Sequence, residues 1–285
     1  MIDLHSHSTF SDGSERPARV VELAKEAGCS ALALTDHDGL DGLVEAKIRA
    51  DELEITLIEG CEVSCAFEGS SLHVLCYFVN ATVGPLHEEL ARLRDDRDRR
   101  NDLMITKLQD LGIAITFDEV YQKAEGKGLG RPHFAAVLVD HGVVNSIDDA
   151  FNRLLGAGKP GYVSKSRVSI EQIIELTNRS QGVTTVAHPY SLGLDRHELD
   201  RQVGLWAGAG LVGLESYYGR YSPELRMNLV EMARRHGLVP TGGSDFHGTY
   251  KPDLEVGRGT GDLNVPDEVL DELRERQRTL RSSLN

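Results

Sequence analysis

Short apolar segments alternate with amphipathic ones along the chain, and the alternation breaks only once. Apolar runs at 2–4, 31–34, 55–63 and 72–78 read as strands, and the amphipathic stretches at 17–27 and 43–53 read as helices between them. Pro17 opens the first helix and Gly28 stands just past its end, the asymmetry expected of helix termini. The pattern resumes after residue 165, with a helix at 170–179, strands at 183–187 and 211–215, a helix at 223–236, a strand at 238–240 and a closing helix at 267–280. Alternating β and α units imply a mostly parallel sheet. About seven of them predict an α/β fold built on a closed or nearly closed barrel, in which loops after strand C-termini carry the chemistry.

The break spans residues 82–165, which read as mainly helical. A long, charged helix is expected at 86–111, and the glycine-rich GKGLGRPH and GAGKPGYV segments read as joints. The predicted organisation is a catalytic barrel from 1–81 and 166–285, with 82–165 inserted as a helical cap. No internal repeat or low-complexity segment interrupts it.

A length of 285 residues suits one large domain or a core domain with an insert. No apolar run approaches the roughly 18–20 residues of a membrane-spanning helix. The opening MIDLHSHSTFSDG lacks the basic start and apolar stretch of a signal peptide, so a cytoplasmic location is expected and no membrane partner. A net charge of −14 repels polyanions at long range and argues against a duplex DNA-coating role. Metal ions or a local basic pocket can still reverse the sign inside a cleft. Cys29, Cys61, Cys65 and Cys76 contain no CxxC pair, so they read as small core hydrophobes in a reducing compartment. On one strand, Cys61 and Cys65 would share the face opposite Glu62. The sequence leaves the oligomeric state open.

Histidines and acids recur where strands should end: His5-x-His7, Asp12, the Asp36-His37-Asp38 triplet, Glu62, His73, His188 before Pro189, and Asp245-x-His247. An i, i+2 pair on a strand points both side chains to one side, so His5 with His7 can bind one ion, and Asp245 with His247 repeats the spacing. A lone histidine is more often a hydrogen-bonded structural residue than a ligand. Six of the eleven histidines at strand ends, several beside carboxylates, point instead to metal binding. Imidazole and carboxylate without thiolate suit Zn²⁺, Fe²⁺ or Mn²⁺ and disfavour Ca²⁺. Nine candidate ligands are too many for one ion and enough for two or three. Three divalent ions would outweigh the three carboxylates Asp12, Glu62 and Asp245, leaving positive charge that suits a hydroxide and a phosphate dianion better than a neutral amide or ester.

Other phosphatase motifs fit less well. Asp36-His37-Asp38 resembles the DxD of aspartyl-phosphate enzymes, but Gly39-Leu40 does not continue it. Arg235-His236-Gly237 resembles the RHG of histidine phosphatases, yet reads better as a helix end with basic residues at the dipole and a glycine cap. No Cys-x5-Arg loop exists. Water rather than a side chain is the expected attacker.

The ordered set HSH, SDG, TDHD, GCEVS, LHVL, AHP and GSDFH resembles the PHP (polymerase and histidinol phosphatase) family of metal-dependent phosphoesterases. The resemblance covers essentially the whole chain outside the cap. It implies a distorted seven-stranded (β/α) barrel holding three divalent metal ions. Carried over, His5, His7, Glu62 and Asp245 would hold the first, Glu62, His73 and His188 the second, and Asp12, His37 and His247 the third. Asp12 replaces a histidine of some relatives, which should favour manganese, or iron, over zinc at that third position.

The cap carries Arg97, Arg100, Arg131, His133, Lys159 and Lys165. Arg97 and Arg100 alternate with Asp95, Asp96 and Asp98 and read equally well as a solvated helix face. Arg131 and His133 open a helical stretch, where backbone N–H groups and a guanidinium can meet an anion together. With its RPHFA and GKPGYV segments, the cap is most similar to that of the nucleotide-acting branch, which includes phosphatases of nucleoside 3′,5′-bisphosphates and 5′→3′ exoribonucleases of short RNA. The expected substrate is therefore a small phosphorylated nucleotide or a short RNA. A histidinol-phosphate-type phosphatase and a structural metal-binding regulatory module are the alternatives. Metal-assisted hydrolysis is the expected mechanism, with Arg97, Arg100, Arg131, His133 and Lys159 holding substrate and Asp38 or His133 protonating the leaving oxygen.

Overall fold

The computed structural model describes residues 1–67, 70–124, 129–164 and 168–284. Lys165, the expected boundary at 165/166 and the Gly126–Lys127–Gly128 part of the first joint lie outside the described residues. Contacts within the chain divide it into two compact units, one of residues 1–90 with 167–285, the other of residues 91–166.

Seven strands form the sheet of the first unit in sequence order: β1 (Ile2–Asp3), β2 (Ala31–Leu34), β3 (Thr56–Phe67), β4 (Ser70–Tyr77), β5 (Val183–Val186), β6 (Gly213–Tyr218) and β7 (Val239–Gly243). The sheet runs parallel from β1 to β3 and from β5 to β7, and β4 is antiparallel to both its neighbours. Between β7 and β1, Leu4 N–H donates to Gly242 O at 3.1 Å and Asp245 N–H to His5 O at 2.9 Å, so the sheet nearly closes on itself. The architecture is the mixed α/β barrel that the alternation implies. An added Cβ on Gly243 would collide with the backbone N and the Cβ of His5, so only glycine lets β7 run this close to the segment after β1.

Helices α1 (Pro17–Glu26), α2 (Leu43–Leu53), α7 (Ile170–Arg179), α8 (Arg196–Gly208), α9 (Pro223–Arg235) and α10 (Glu268–Leu284) lie in this unit, and α3 (Pro85–Asp110) carries the division between the units within its length. Local chemistry starts them. Ser169 and Gln172 form a capping box on α7, Asp195 accepts two N–H groups at the start of α8, and Ser222 caps α9 ahead of Pro223. β2 and β5 are buried at every position, as strands covered on both faces must be. Ile2, Leu4, Ala33, Ile58, Leu75 and Val239 pack in one core with Val269 and Leu273 of α10. Tyr77, fully buried, donates its hydroxyl to Leu4 O at 2.8 Å.

The sequence places Glu62 and His73 at strand ends, whereas both lie within strands. β2 pairs with β3 no further than Glu59, apart from the single bridge of His37 to Glu62, and β5 pairs with β4 no further than Val74. The β3–β4 hairpin therefore runs on past its neighbours, and Glu62 and His73 stand where the other strands have already stopped. Helix α8 is absent from the sequence reading, although its buried Leu199, Val203 and Trp206 recur at helical spacing.

The second unit contains the rest of α3 with α4 (Phe117–Ala124), α5 (Arg131–Asp140) and α6 (Ile147–Ala150), around a core that includes Met104, Leu108, Val120, Phe134 and Leu138. No helix among the described residues is long and apolar enough to cross a membrane. All four cysteines are free and buried, the core role that their spacing suggests. Gly237, at φ 70°, ends α9 in the left-handed conformation, and His236 pairs with Asp200 at 2.9 Å, so Arg235-His236-Gly237 is a helix terminus.

Candidate active site

Six segments following or continuing barrel strands deliver nine side chains to one place. β1 ends at Asp3 and the chain carries His5 and His7 inward. Asp36 holds that loop by accepting Ser8 N–H at 2.8 Å and the hydroxyls of Ser8 and Ser11 at 2.7 Å each. The same carboxylate therefore serves the backbone rather than a DxD phosphoryl site. His37 follows β2, Glu62 and His73 face each other diagonally across the hairpin, His188 follows β5, and Asp245 and His247 follow β7. His5, His7, Glu62, Asp245 and His247 are buried, while Asp12 keeps 57% of its side chain exposed.

Glu62 is the centre. Its Oε2 lies 3.2 Å from His5 Nε2, 3.1 Å from His7 Nε2 and 3.2 Å from His37 Nδ1. Its Oε1 lies 3.0 Å from both His73 Nδ1 and His188 Nε2. Despite those three close nitrogens, Oε2 has no hydrogen-bond partner, and neither has His37 Nδ1. His5 Nε2 and His7 Nε2 also face each other at 3.1 Å. Ring nitrogens and carboxylate oxygens converging in a buried place, with Glu62 Oε2 and His37 Nδ1 left unpaired, are what a set of metal donors offers. Ligand atoms of His5, His7 and Asp245, of His7, Asp12, His37 and His247, and of His37, Glu62 and His73 each fall within 4.8 Å of one another. His37 thus approaches both Asp12 and the Glu62–His73 pair. His188 reaches the cluster through Glu62 Oε1.

The electrostatics favour added positive charge. Burial disfavours the charged form of His7, but the Asp245 and Glu62 carboxylates beside it outweigh it and raise its pKa to about 9. Burial likewise opposes protonation of His5 and His188, and nearby carboxylates again prevail, holding both above the ordinary imidazole value. Burial by itself would raise Glu62 and Asp245, yet the surrounding imidazoles hold both well below the usual carboxylate range. Asp12 follows the same rule through His247 and His37. His37 is the exception, since burial lowers it to about 4 and keeps its ring neutral.

Seven of the nine, all but His5 and His7, line a cavity of about 570 Å³, whose wall also includes Tyr190, Tyr218, Tyr221, Arg220 and Lys251. Three residues absent from the sequence reading brace the ligand candidates. Tyr218 OH and Lys251 Nζ both donate to Asp245 Oδ2, at 2.8 and 2.6 Å, while Oδ1 faces His5 and His7 at 3.5 and 3.4 Å. Glu215, fully buried on β6, contacts His5 Nδ1 at 2.9 Å and accepts His188 N–H at 2.6 Å. A carboxylate in the apolar stretch LVGLESYY, on a strand that otherwise supplies no ligand candidate, was a readable signal for Glu215. Lys251 offered none.

The remaining predicted residues lie elsewhere. Asp38, next to His37, is buried at φ 51° and accepts Ser64 N–H at 2.9 Å, tying the loop after β2 to β3. Arg97, Arg100, Arg131, His133 and Lys159 belong to the second unit. There Arg100 is 6% exposed, so it is no solvated helix face, and its buried Nε has no hydrogen-bond partner. Burial lowers its pKa to about 10, with Arg131 and Arg97 pressing in the same direction. Arg131 stacks on Tyr162 at 5.3 Å. His133 Nδ1 accepts Gly130 N–H at 3.0 Å at the start of α5, and Lys159 is exposed.

Comparison with known proteins gives a consistent picture. The PHP domain pattern matches residues 3–234. The 5′-3′ exoribonuclease Rnm of Escherichia coli is 34% identical over 260 residues, covering 90% of this chain and 88% of that one. The 3′,5′-nucleoside bisphosphate phosphatase of Chromobacterium violaceum is also 34% identical, over 92% of both chains. Among solved structures, a chain from Bifidobacterium adolescentis assigned as a metal-dependent phosphoesterase superposes with a TM-score of 0.76 at 32% identity, covering 96% of each chain.

Proposed function

The chain belongs to the PHP domain family, and we propose that it is a metal-dependent phosphoesterase that removes the 3′-phosphate of nucleoside 3′,5′-bisphosphates, releasing nucleoside 5′-monophosphate and phosphate. The observation that carries the chemistry is Glu62, whose Oε2 lies within 3.2 Å of three imidazole nitrogens and is bonded to none. The substrate follows from the 34% identity to the bisphosphate phosphatase over nearly the whole of both chains.

In this reading His5, His7, Glu62 and Asp245 hold one divalent ion, Glu62, His73 and His188 a second, and Asp12, His37 and His247 a third, with manganese preferred over iron or zinc. Such ions supply Lewis-acid polarisation of phosphoryl oxygens and lower the pKa of water. The chain's own groups do the rest. Asp36 and Glu215 keep the ligand-bearing loops in place, and Tyr218 with Lys251 holds Asp245 turned toward His5 and His7. The arginines of the second unit offer an anion site of their own. Arg100 is held nearly out of water with an unpaired N–H, beside Arg97 and Arg131, and a phosphate would relieve their mutual repulsion. We assign the substrate's second phosphate to them, with Lys159, exposed in the same unit, contributing charge. Asp38 and His133 are the two candidates proposed for protonating the leaving oxygen. The bond that His133 accepts at Nδ1 keeps its proton on Nε2, and Asp38 accepts Ser64 N–H. A cytoplasmic setting is proposed for the reaction.

A second reading rests on the equal identity to the exoribonuclease. Both activities cleave the 3′-linked phosphate of a nucleotide that bears a 5′-phosphate, so one site can perform both. Initial rates with Mn²⁺ on a nucleoside 3′,5′-bisphosphate, a short 5′-phosphorylated RNA and histidinol phosphate separate the readings. The bisphosphate should be turned over fastest. A faster RNA substrate would make exoribonuclease the principal activity, and turnover of histidinol phosphate alone would overturn the nucleotide assignment.

A further inference from the structure

Glu215 satisfies two elements at once, and both ask for the same thing. His188 N–H needs an acceptor and has Oε2 at 2.6 Å. His5 has only its Nδ1 on this side, 2.9 Å from Oε1, because its Nε2 points the other way, at Glu62 Oε2 and His7 Nε2. A proton on His5 Nε2 would erase the lone pair that faces the other donors. A carboxylate behind Nδ1 prevents this in the neutral ring by drawing the proton to Nδ1. His188 is also unusual. It precedes Pro189, a position that normally favours extended backbone, yet it sits at φ 26°, ψ 60°. The bond to Glu215 helps hold that conformation, in which the His188 ring reaches Glu62 Oε1 at 3.0 Å.

We propose that Glu215 is a positioning residue for metal binding, fixing the tautomer of His5 and the backbone of His188 so that ligands from two different strands face the same centre. The inference rests on the metal-dependent reading of that centre. It predicts a particular outcome for the isosteric change. Glutamine has one acceptor oxygen and one donor amide. In Glu215→Gln, therefore, either the amide N–H meets His188 N–H, or it forces the proton of His5 onto Nε2.

Zn²⁺ affinity is measured by competition with a chromophoric chelator for the wild-type protein, Glu215→Gln and Glu215→Ala, alongside the unfolding midpoint of each without metal. Glu215→Gln should bind Zn²⁺ about 10- to 100-fold more weakly while still unfolding cooperatively, the usual cost of losing a partner behind a ligand. Affinity of the glutamine variant within about twofold of wild type, with only the alanine variant impaired, would mean that Glu215 merely fills space. Should either variant fail to fold, ¹⁵N spectra of the Zn²⁺-loaded wild type decide: His5 must carry its proton on Nδ1, and a proton on Nε2 overturns the proposal. A wild-type protein that binds no Zn²⁺ would instead sink the underlying reading of the site.

Discussion

Removing the metal and raising the pH should unfold this protein more easily, and the His7 environment sets the size of the effect. His7 is fully buried, with Nε2 at 3.1 Å from Glu62 and 3.4 Å from Asp245. Without metal, the proton on His7 compensates those carboxylates, which is why its pKa rises from 6.5 to about 9. A folded-state value above the unfolded one gives stability that is complete below 6.5 and lost as the pH climbs through 9. That interval corresponds to about 3 kcal/mol from His7 alone. His5 and His188, also raised, contribute with the same sign. The depressed His37, Glu62 and Asp245 work in the opposite window, losing stability as the pH falls below the ordinary values of their groups. The metal-free protein should therefore be most stable near pH 6.5 and melt on the order of 5–10 °C lower at pH 9. Protein reloaded with Mn²⁺ should show little of this fall, since the ions replace the protons. Calorimetry of both forms from pH 6 to 9.5 tests it. A metal-free protein as stable at pH 9 as at pH 6.5 would refute the charge balance derived for the cluster.

Three further outcomes are expected. Arg131→Ala should lower kcat/KM for a nucleoside 3′,5′-bisphosphate by about 10- to 100-fold, the loss of one charge-assisted hydrogen bond, and leave a small generic phosphate ester nearly unaffected. Equal loss on both substrates would place Arg131 at the reacting centre or in the folding of its unit. Hydrolysis of a chiral thiophosphate ester should invert configuration at phosphorus, because metal-activated water is the expected attacker; net retention would require a covalent intermediate. Gly243→Ala should cost about 1–3 kcal/mol of stability and reduce metal content as well, since its methyl group would press on the His5 backbone. An unchanged unfolding midpoint would mean that β7 can move away.

Ligand candidates were legible because they come in local pairs with a structural reason for their spacing. His5 with His7 and Asp245 with His247 each flank one residue just past a strand, and the hydrophobic runs before them mark the strand ends, although Asp245, at φ 56°, is not extended. Glu62 and His73 were legible as chemistry but not as geometry. Nothing local says that β3 and β4 outrun their neighbours, because strand length in a hairpin is set by pairing with the partner. Bracing residues were the least legible. Glu215, 27 residues from His188, is marked only as a carboxylate inside an apolar strand, and Lys251, 6 residues from Asp245, has no mark at all. Arg100 settles an alternative that the sequence left open. Its acidic neighbours in sequence suggest a solvated face, whereas tertiary packing buries it.

The central claim is that the histidine–carboxylate cluster of this chain hydrolyses the 3′-phosphate with metal ions that it binds itself. Protein stripped of metal by a chelator and dialysed is assayed for phosphate release from a nucleoside 3′,5′-bisphosphate, before and after Mn²⁺ is restored, with Asp245→Ala treated in parallel. The account predicts no release by the stripped protein and recovery with Mn²⁺ at two to three bound ions per chain. Nucleoside 5′-monophosphate should be the product, and Asp245→Ala should recover neither metal nor activity. Undiminished release by fully stripped protein, or full activity in Asp245→Ala, would contradict it.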